Sequence, residues 1–550
     1  MSWQSMAAEF PRVPPFLLHA VALSLSLSLL LCNRPRRRMV SEHGIKLAVH
    51  LITKHFGTVV SKVCETLIRK GALTLEQLIR FTELQKEQVR NSLLVLIQHN
   101  CAQPFILENQ DGIKTHTQYL ALFDNILHRP RFPKFMEIVK RQLDDELCVV
   151  VLEGLLRNGR LNLKQIADNV SEGKENPVTV DVVRESLCKL LAVQYVERCP
   201  APEPVVYPVV EETTIKKRGA KFAKIFQPPL TIEQRVLEAS VPGEAIRFSL
   251  AADTGFNADR ETNSDDIPMT SVEENVFKEE LIPWRANFEE FMRILRHKAM
   301  IENVRTRLDD AAATVLSAIL EATRTAEKKV KVQNSVPLSL ETIFTEVVKT
   351  ETGRTMTIDR VKATLVQLGC PSRVSDDSYT IDLKNIIELA RNEEVESIVL
   401  KRYGNDAYRM FRLLSKANRF LETDQIAEST LVEKKEAPKL LYRLWKDNYL
   451  HMEKLQVMAA KQSRFILWKV DKPLLWEYVL DEMYHAALNL NLRMDFELEK
   501  DDEVLFRVSK DKIEGSKTLK TKHNRLLNVY YLLGSSLMNL DDALMLFHDF

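Results

Sequence analysis

A six-residue pattern with leucine or isoleucine at offsets 0, 2 and 5 occurs four times in this chain of 550 residues. The copies are Leu73–Leu78, Leu161–Ile166, Leu338–Ile343 and Leu421–Ile426, the last with Thr423 in the middle place. Each copy is followed by apolar residues at offsets 0, 4 and 7, which form a stripe along one helix face. The stripes are Val89/Leu93/Leu96, Val183/Leu187/Leu190, Val361/Leu365/Leu368 and Ala437/Leu441/Leu444. A short helix, a turn and a second amphipathic helix are the sequence form of a helix-turn-helix.

The spacing of these copies indicates how the chain is organised. Their first residues lie 88, 177 and 83 residues apart, so the long middle gap holds an insertion. Repetition on this scale is typical of an array of small helical modules and argues against one large enzyme core. We therefore predict a mainly α protein.

Hairpin signals follow the helix pairs. After the first copy, Phe105–Leu107 and Ile113–Tyr119 flank Asn109–Gly112, where Asp-Gly favours a hairpin turn. The corresponding wing segments are Tyr195–Arg198, a short wing near 376–378, and Tyr449–Gln456 with Arg464–Val470. Three helices followed by a β-hairpin make a winged helix, so the sequence predicts four winged helices in tandem.

Domain boundaries follow from these elements. We predict winged helices at 39–131, 132–199, 281–383 and 384–472. Residues 200–280 are rich in proline and charge, which predicts a linker or a long wing insertion that is partly disordered. Apolar periodicity across 473–550, interrupted by a charged segment, predicts a C-terminal helical hairpin or coiled coil.

The N-terminus has a different character. Phe16–Cys32 is an apolar run of 17 residues, followed by the basic cluster Arg34–Arg38. Taken alone, the run predicts a short signal anchor or a signal-peptide core, although no small-x-small cleavage site precedes the basic cluster. Because Met39 opens the amphipathic segment directly, we favour 1–38 as an extension outside the functional fold. The basic cluster is also a candidate nuclear-import signal.

Charge limits the ways in which the chain can meet nucleic acid. With 77 basic and 76 acidic residues the net charge is only +1, so any such contact must be local. The clearly basic third helix is that of the fourth winged helix, with the candidate DNA-binding residues Lys434, Lys435, Lys439 and Arg443. A solvated helix face is the alternative there, and it is the preferred interpretation for the other three.

The densest basic-aromatic stretch lies in the linker. Phe222 and Phe226 interleave with the further DNA-binding candidates Lys216, Lys217, Arg218, Lys221 and Lys224. Phosphate contact combined with ring stacking is one function of such a stretch. Docking on an acidic protein partner is the other, and the sequence does not separate the two.

No catalytic constellation is present. The sequence contains no GxxxxGK[ST], HExxH, GxSxG or DxDxDG motif, and acidic pairs such as Asp309-Asp310 have the character of solvated helix ends. The seven cysteines form no CxxC pair, which is typical of reduced thiols in the cytosol or nucleus. We predict a binding protein with no catalytic residue, metal site, cofactor or small-molecule substrate.

Several motifs resemble the winged-helix subunit of RNA polymerase III, the third-largest chain of that enzyme. They are Ile45–Leu47 with His55–Gly57, Leu67–Arg69 before Gly71, Val95–Asn100, Trp284–Asn287 before a Phe-rich helix, and Met410–Leu413. The resemblance covers residues 40–550, which is the chain without its N-terminal run.

This resemblance implies a noncatalytic subunit of a nuclear nucleotidyltransferase complex, similar in design to the alpha chain of general transcription factor E. It implies a heterotrimer peculiar to polymerase III, beside the clamp, with contacts to the initiation-factor complex and to single- and double-stranded promoter DNA. The expected role is initiation and promoter opening at small RNA genes such as those for tRNA and 5S rRNA. The alternatives are a free-standing DNA-binding regulator, which the net charge disfavours, a winged-helix scaffold of another assembly, and a membrane-anchored protein.

Overall fold

The computed structural model describes residues 40–108, 116–172, 179–206, 231–250, 282–324, 326–327, 331–370, 378–458, 462–500 and 517–550. Within these ranges the protein is mainly helical with four small sheets, as the sequence predicts. The apolar run 16–32, the hairpin turn 109–112 and the basic stretch 216–224 lie outside the described residues. No helix in the described part is long and apolar enough to cross a membrane.

The first winged helix has three helices and a sheet behind an N-terminal helix. Its elements are α1 (Glu42–Phe56), α2 (Thr58–Lys70), β1 (Leu73–Thr74), α3 (Leu75–Thr82), α4 (Lys86–Gln98), β2 (Ala102–Leu107) and β3 (Thr117–Ala121). Gly57, at φ +86°, separates α1 from α2 in a conformation that favours glycine. β2 and β3 pair antiparallel, which confirms the predicted hairpin, and β1 pairs with the outer side of β3.

The second winged helix contains the long insertion. α5 (Phe123–Leu127) packs in the core of the first winged helix, and a 3-10 turn (Arg129–Arg131) leads into the second. The second contains α6 (Phe132–Leu143), α7 (Glu146–Asn158), α8 (Leu163–Ser171), α9 (Val180–Ala192) and β4 (Val196–Arg198). The insertion then contributes β5 (Val205–Val206), which pairs parallel with β2 of the first winged helix, α10 (Ile232–Ser240) and α11 (Glu244–Arg247), and β6 (Trp284–Ala286) follows it. β6 pairs antiparallel with β4 and so completes this sheet, although Trp284 falls within the predicted third winged helix, 281–383. We therefore propose that the third winged helix begins after Ala286 and that 200–280 is an insertion within the second wing.

The third and fourth winged helices follow the same plan, and a helical hairpin closes the chain. The third comprises α12 (Phe288–Arg307), α13 (Asp310–Thr323), β7 (Leu338–Ser339), α14 (Leu340–Lys349), α15 (Ile358–Gln367) and β8 (Ser378–Tyr379). The fourth comprises α16 (Leu383–Tyr403), α17 (Asn405–Ala417), β9 (Leu421–Glu422), α18 (Thr423–Thr430), α19 (Ala437–Lys446), β10 (His451–Met458) and β11 (Gln462–Lys469). The hairpin helices are α20 (Lys472–Lys500) and α21 (Lys517–His548), which pack against each other.

The repeated six-residue pattern has one structural meaning in all four places. Its first leucine lies opposite an aromatic residue of the wing: the pairs are Leu73–Tyr119, Leu161–Trp284, Leu338–Tyr379 and Leu421–Trp468. Its second residue precedes the next helix, and in three copies the side chain caps that helix, from Thr74, Asn162 and Ser339. Its last residue is buried every time. The pattern therefore encodes a short strand, a cap and a core-facing helix.

The core has two large parts and a small third one at the wing of the first winged helix, and the C-terminal helix enters the two large parts. The first and fourth winged helices share one core with α20, to which Leu544 and Phe547 of α21 belong. The second and third share the other, to which Met545 and Phe550 belong. The last turns of α21 are therefore part of the hydrophobic core of the whole protein.

A buried charge cluster, here called the clasp, fixes this end of α21 to the second winged helix. Arg131 is fully buried; its Nε donates to Asp541 at 2.8 Å and its Nη1 donates to Asp549 at 2.7 Å. Lys134 Nζ reaches the carboxylates of Asp541 and Asp542 at 2.8 Å each. Because a buried charge is costly without a partner, the clasp holds only while both sides are present.

Burial and charge act on the titration of the clasp in opposite ways. Burial opposes ionisation of Asp549, but Arg131 and the nearby histidines outweigh it, and the pKa of this carboxyl is lowered. Burial, followed by the charge of Arg131, lowers the pKa of His128 to about 4. His128 is thus neutral near pH 7, which agrees with Nδ1 lying 3.0 Å from the Nη1 of Arg131 as an acceptor.

Candidate nucleic-acid interface

The turn between α18 and α19 of the fourth winged helix projects an apolar side chain into solvent. Leu431 has φ +54° and is 85% exposed. The next residue, Val432, is buried, and its N–H donates to the Ala427 carbonyl at 3.1 Å. A leucine in left-handed conformation costs about 1–2 kcal/mol, so the packing of Val432 holds Leu431 outward.

α19 presents a basic-aromatic face beside this turn. Lys439, Tyr442 and Lys446 recur at positions i, i+3 and i+7, which places them on one side of the helix. Leu441 and Leu444 on the opposite side are fully buried in the core. Pro438 lies in the first helical turn, where its missing N–H leaves no backbone hydrogen bond unmade.

Tyr442 is the exposed aromatic residue of this face. Its side chain is 55% exposed, and its ring centroid lies 5.3 Å from that of Trp445. A tyrosine flanked by lysines at helical spacing can stack on a base while the ammonium groups contact phosphates.

Two of the four predicted lysine and arginine residues of this module are paired with acids. Lys434 Nζ lies 2.9 Å from Glu428 Oε1, and Lys439 Nζ lies 2.8 Å from Glu436 Oε1. Each pairing raises the pKa of its lysine. Because exposed pairs of this kind contribute little free energy, a phosphate can replace the carboxylate at small cost.

The other basic groups are differently placed. Within the described part of the chain, no carboxylate lies at ion-pair distance from Lys435 or Lys446. The Arg443 guanidinium lies 5.1 Å from the ring centroid of Tyr403, whose hydroxyl donates to Asp447 at 2.5 Å. Arg443 therefore has a packing role on α16 in addition to its charge.

The wing of the same module is a long exposed hairpin. β10 and β11 pair in register from His451 with Lys469 to Met458 with Gln462. The outer part of the hairpin exposes Leu455, Phe465 and Ile466, each more than a third accessible. Helix and wing, the two elements with which winged helices contact DNA, thus both present side chains to solvent here.

The third helices of the second and third winged helices are engaged within the protein. On α9, Lys189 bonds to Asp145 at 3.1 Å and lies 3.3 Å from Glu185. On α15, Arg360 bonds to Asp309 at 3.0 Å. On α4 of the first winged helix, Arg90 and the 58% exposed Leu94 face solvent. The basic-aromatic combination is a property of α19 among the four third helices.

The structure brings together one of the two predicted groups of DNA-binding residues. Lys434 and Lys435 lie in the turn before α19, and Lys439 and Arg443 lie on α19 itself. The linker candidates Lys216, Lys217, Arg218, Lys221 and Lys224 lie outside the described residues. Sequence reasoning missed Tyr442, although its spacing from Lys439 was a usable signal. It also missed Leu431, for which the sequence carries no signal, because a leucine in a turn ordinarily packs inward.

The described residues contain no group of three His, Cys, Asp or Glu side chains that could hold a metal ion. Six of the cysteines are described, all as free thiols, and four of these are buried.

The fold and this surface define a class: a tandem winged-helix protein with a basic-aromatic face on its fourth module. Three family profiles match it: "RNA polymerase III subunit RPC82 helix-turn-helix domain" at 46–105, "RNA polymerase III subunit RPC82" at 185–390, and "POLR3C, C-terminal winged-helix domain" at 395–470.

Curated relatives agree with these profiles. The chain is 24% identical to DNA-directed RNA polymerase III subunit RPC3 of Bos taurus and of Homo sapiens, each over 483 residues that cover 85% of this chain and 86% of the relative. It is 20% identical to subunit rpc3 of Dictyostelium discoideum over 672 aligned residues, covering 92% and 99% of the two chains. The chain belongs to the RPC82/RPC3 family of RNA polymerase III subunits.

Proposed function

We propose that this subunit is noncatalytic, takes part in transcription initiation in the nucleus, and contacts promoter DNA through its fourth winged helix. The observation that carries the proposal is the face of α19, on which Lys439, Tyr442 and Lys446 share one side beside the exposed Leu431. This face combines groups for phosphate contact with a ring for base stacking, which suits DNA that is being opened.

Electrostatics favour contact inside an assembly. With a net charge of +1, the isolated chain has no bulk field to attract DNA, so a local face binds usefully only when other subunits hold the DNA nearby. The other subunits of RNA polymerase III are partners by membership of the family. We further propose the polymerase III heterotrimer, the clamp and the initiation-factor complex as neighbours, with promoter opening at tRNA and 5S rRNA genes as the shared task.

The basic linker stretch remains a second proposed DNA contact. Lys216, Lys217, Arg218, Lys221 and Lys224 offer up to five phosphate contacts. Neutralising all five should lower the salt slope of promoter binding by up to about 0.9 per lost contact on duplex, or about 0.7 on a single strand. Parallel lines of equal slope would instead assign the stretch to an acidic protein partner.

The decisive test uses assembled polymerase carrying Lys435→Gln, Lys439→Gln and Lys446→Gln together. Promoter affinity, measured against salt, should fall about tenfold at low salt, and the slope should drop by about 2–3 because up to three phosphate contacts are lost. Tyr442→Ala should weaken binding to a pre-opened promoter by about 1–3 kcal/mol if the ring stacks on one base. Neither change touches a buried side chain.

A matched control removes the same charge elsewhere. Lys62, Lys140 and Lys164 are exposed lysines of the first and second winged helices, so the triple glutamine variant at these positions has the same net charge. It should bind promoter DNA like the unaltered polymerase. If both triple variants lose the same promoter affinity, the loss is an effect of net charge and not of the α19 face. If neither loses affinity, the fourth winged helix is rejected as a DNA contact.

A further inference from the structure

The outer side of α21 carries an uncovered apolar strip, here called the outer stripe and defined by Lys520, Leu527, Tyr530, Tyr531 and Gly534. These residues recur at helical spacing on one side of the helix. Leu527, Tyr530 and Tyr531 are 53%, 43% and 74% exposed. A Cβ added at Gly534 would meet no atom within 4 Å, so a second backbone could approach closely there.

The outer stripe is not the side of α21 that packs on α20. That inner side includes the buried Leu526 and Leu544, with Leu537 partly buried between them. Towards the C-terminus, the outer side is already covered by the second winged helix, where Lys134 Nζ donates to the Met538 carbonyl at 3.3 Å and to Asp541 at 2.8 Å. The outer stripe therefore continues an existing interface beyond the point at which its cover ends.

Charge on this segment has one sign. From 517 to 540 the sequence contains Lys517, Lys520, Lys522 and Arg525 and no aspartate or glutamate. Arg525 lies 3.7 Å from Glu497 of α20, but in the described residues no carboxylate is at ion-pair distance from Lys520 or Lys522. A second copy of this chain would place like charges together, whereas an acidic surface would be attracted.

We propose that the outer stripe docks an amphipathic α-helix of another polymerase subunit, with an apolar face against Leu527, Tyr530 and Tyr531 and an acidic edge toward Lys520. Leucine and tyrosine anchors followed by a glycine one turn later suit a packed helix, since large side chains supply buried area and the glycine admits the partner backbone. Leu527, an exposed aliphatic residue within the outer stripe, favours a protein over a nucleic acid. This contact is independent of the DNA contact proposed for α19.

The test places a photo-crosslinker in the intact enzyme. RNA polymerase III is purified with Tyr531→p-benzoylphenylalanine, irradiated with promoter DNA present, and digested for mass spectrometry. The expected product joins Tyr531 to a helical segment of another subunit that carries Asp or Glu at its edge. A crosslink to DNA, to a second copy of this chain or to a segment without acidic residues overturns the proposal, and so does the absence of any crosslink.

Variants then test whether the contact holds the complex together. Leu527→Ser with Tyr531→Ser should reduce retention of the crosslinked subunit on the purified polymerase about tenfold or more. Leu94→Ser with Val366→Ser removes similarly exposed apolar side chains from the first and third winged helices, and should leave retention unchanged. An equal thermal transition for the two double variants shows that both remain folded. Unchanged retention in the α21 variant would reject the outer stripe as a docking surface, whatever the result for α19.

Discussion

The second and fourth winged helices have the same core plan, but basic side chains of the second are paired within the protein whereas those of the fourth face solvent. Their stripes, Val183/Leu187/Leu190 and Ala437/Leu441/Leu444, are all buried. In the second, Arg131 is buried in the clasp and Lys189 is bonded to Asp145. In the fourth, Lys435 and Lys446 face solvent beside Tyr442. The buried stripe thus determines the fold of each module. The residues between its members can either form ion pairs within the protein or contact a partner.

The largest expected effect comes from breaking the anchor of the second winged helix. Arg131→Met leaves Asp541 and Asp549 without their buried partner, and we expect the free energy of unfolding of this region to fall by about 3–5 kcal/mol. Hydrogen exchange should report the loss in α6 and in the last turns of α21. Lys439→Met on the solvent face of α19 should change stability by less than about 0.5 kcal/mol.

A second variant separates charge from packing in the clasp. Arg131→Met combined with Asp549→Leu removes both members of one buried pair and should recover part of the loss, because a smaller uncompensated charge remains. Equal destabilisation of the single and double variants would show that these side chains stabilise the protein by packing and not by their charges. The proposed contrast between buried charge in the second winged helix and exposed charge in the fourth would then be wrong.

Acid should open the second winged helix before the fourth. Burial and Arg131 lower the pKa of His128 to about 4, so between pH 6.5 and about 4 the unfolded chain binds a proton that the folded chain does not. Stability therefore falls as pH falls through this window, by at most about 3 kcal/mol. The pKa of Asp549 is lowered, so its contribution is retained until pH falls below about 4.

The measurement is hydrogen exchange at pH 7 and pH 5 in the unaltered protein and in His128→Asn. The protection of α6 amides, corrected for the pH dependence of intrinsic exchange, should fall from pH 7 to pH 5 in the unaltered protein and fall less in the variant, because asparagine keeps an acceptor for Arg131 but does not titrate. His55 and His99, whose pKa values burial also lowers to about 4, titrate in both proteins and serve as an internal control. An identical pH response in the two proteins would show that His128 does not cause the loss of stability at acidic pH.

The elements that the sequence predicted correctly are those whose signal is local. The stripes on α4, α9, α15 and α19 and the apolar periodicity of α20 and α21 each lie within one helix, so periodicity was enough. The pairing of Trp284–Ala286 with Val196–Arg198 was not predicted, because the two strands lie on either side of the long insertion and no local pattern joins them.

The same distinction between local and long-range signals explains which residues of the clasp and of the candidate interface the sequence could predict. Arg131 and Asp549 are separated by 418 positions, and single charged residues at such distances carry no periodic signal. The basic character of α19 was visible because Lys439, Arg443 and Lys446 recur within one helix. The exposure of Leu431 depends on the burial of Val432 beside it, which follows from tertiary packing alone.

The smallest expected effect concerns Thr423, the one position of the repeated pattern that is neither leucine nor isoleucine. In the fourth winged helix, Thr423 Oγ1 accepts a hydrogen bond from Trp468 Nε1 at 2.9 Å. In the second, Leu163 occupies the same place, and within the described residues the buried Nε1 of Trp284 has no acceptor. Thr423 is therefore explained as the partner of a wing tryptophan, a partner that the second winged helix lacks.

Thr423→Val should lower the free energy of unfolding of the fourth winged helix by about 1 kcal/mol. Valine has nearly the same shape as threonine but leaves the Nε1 donor of Trp468 without an acceptor. In a Trp468→Phe background the same substitution should cost close to nothing, since no donor remains. Trp284→Phe should cost less than Trp468→Phe, because it removes a donor that is already unpaired. If Thr423→Val costs the same in both backgrounds, the threonine acts through the start of α18 and not through the wing, and the two modules differ at this position for a reason unrelated to their tryptophans.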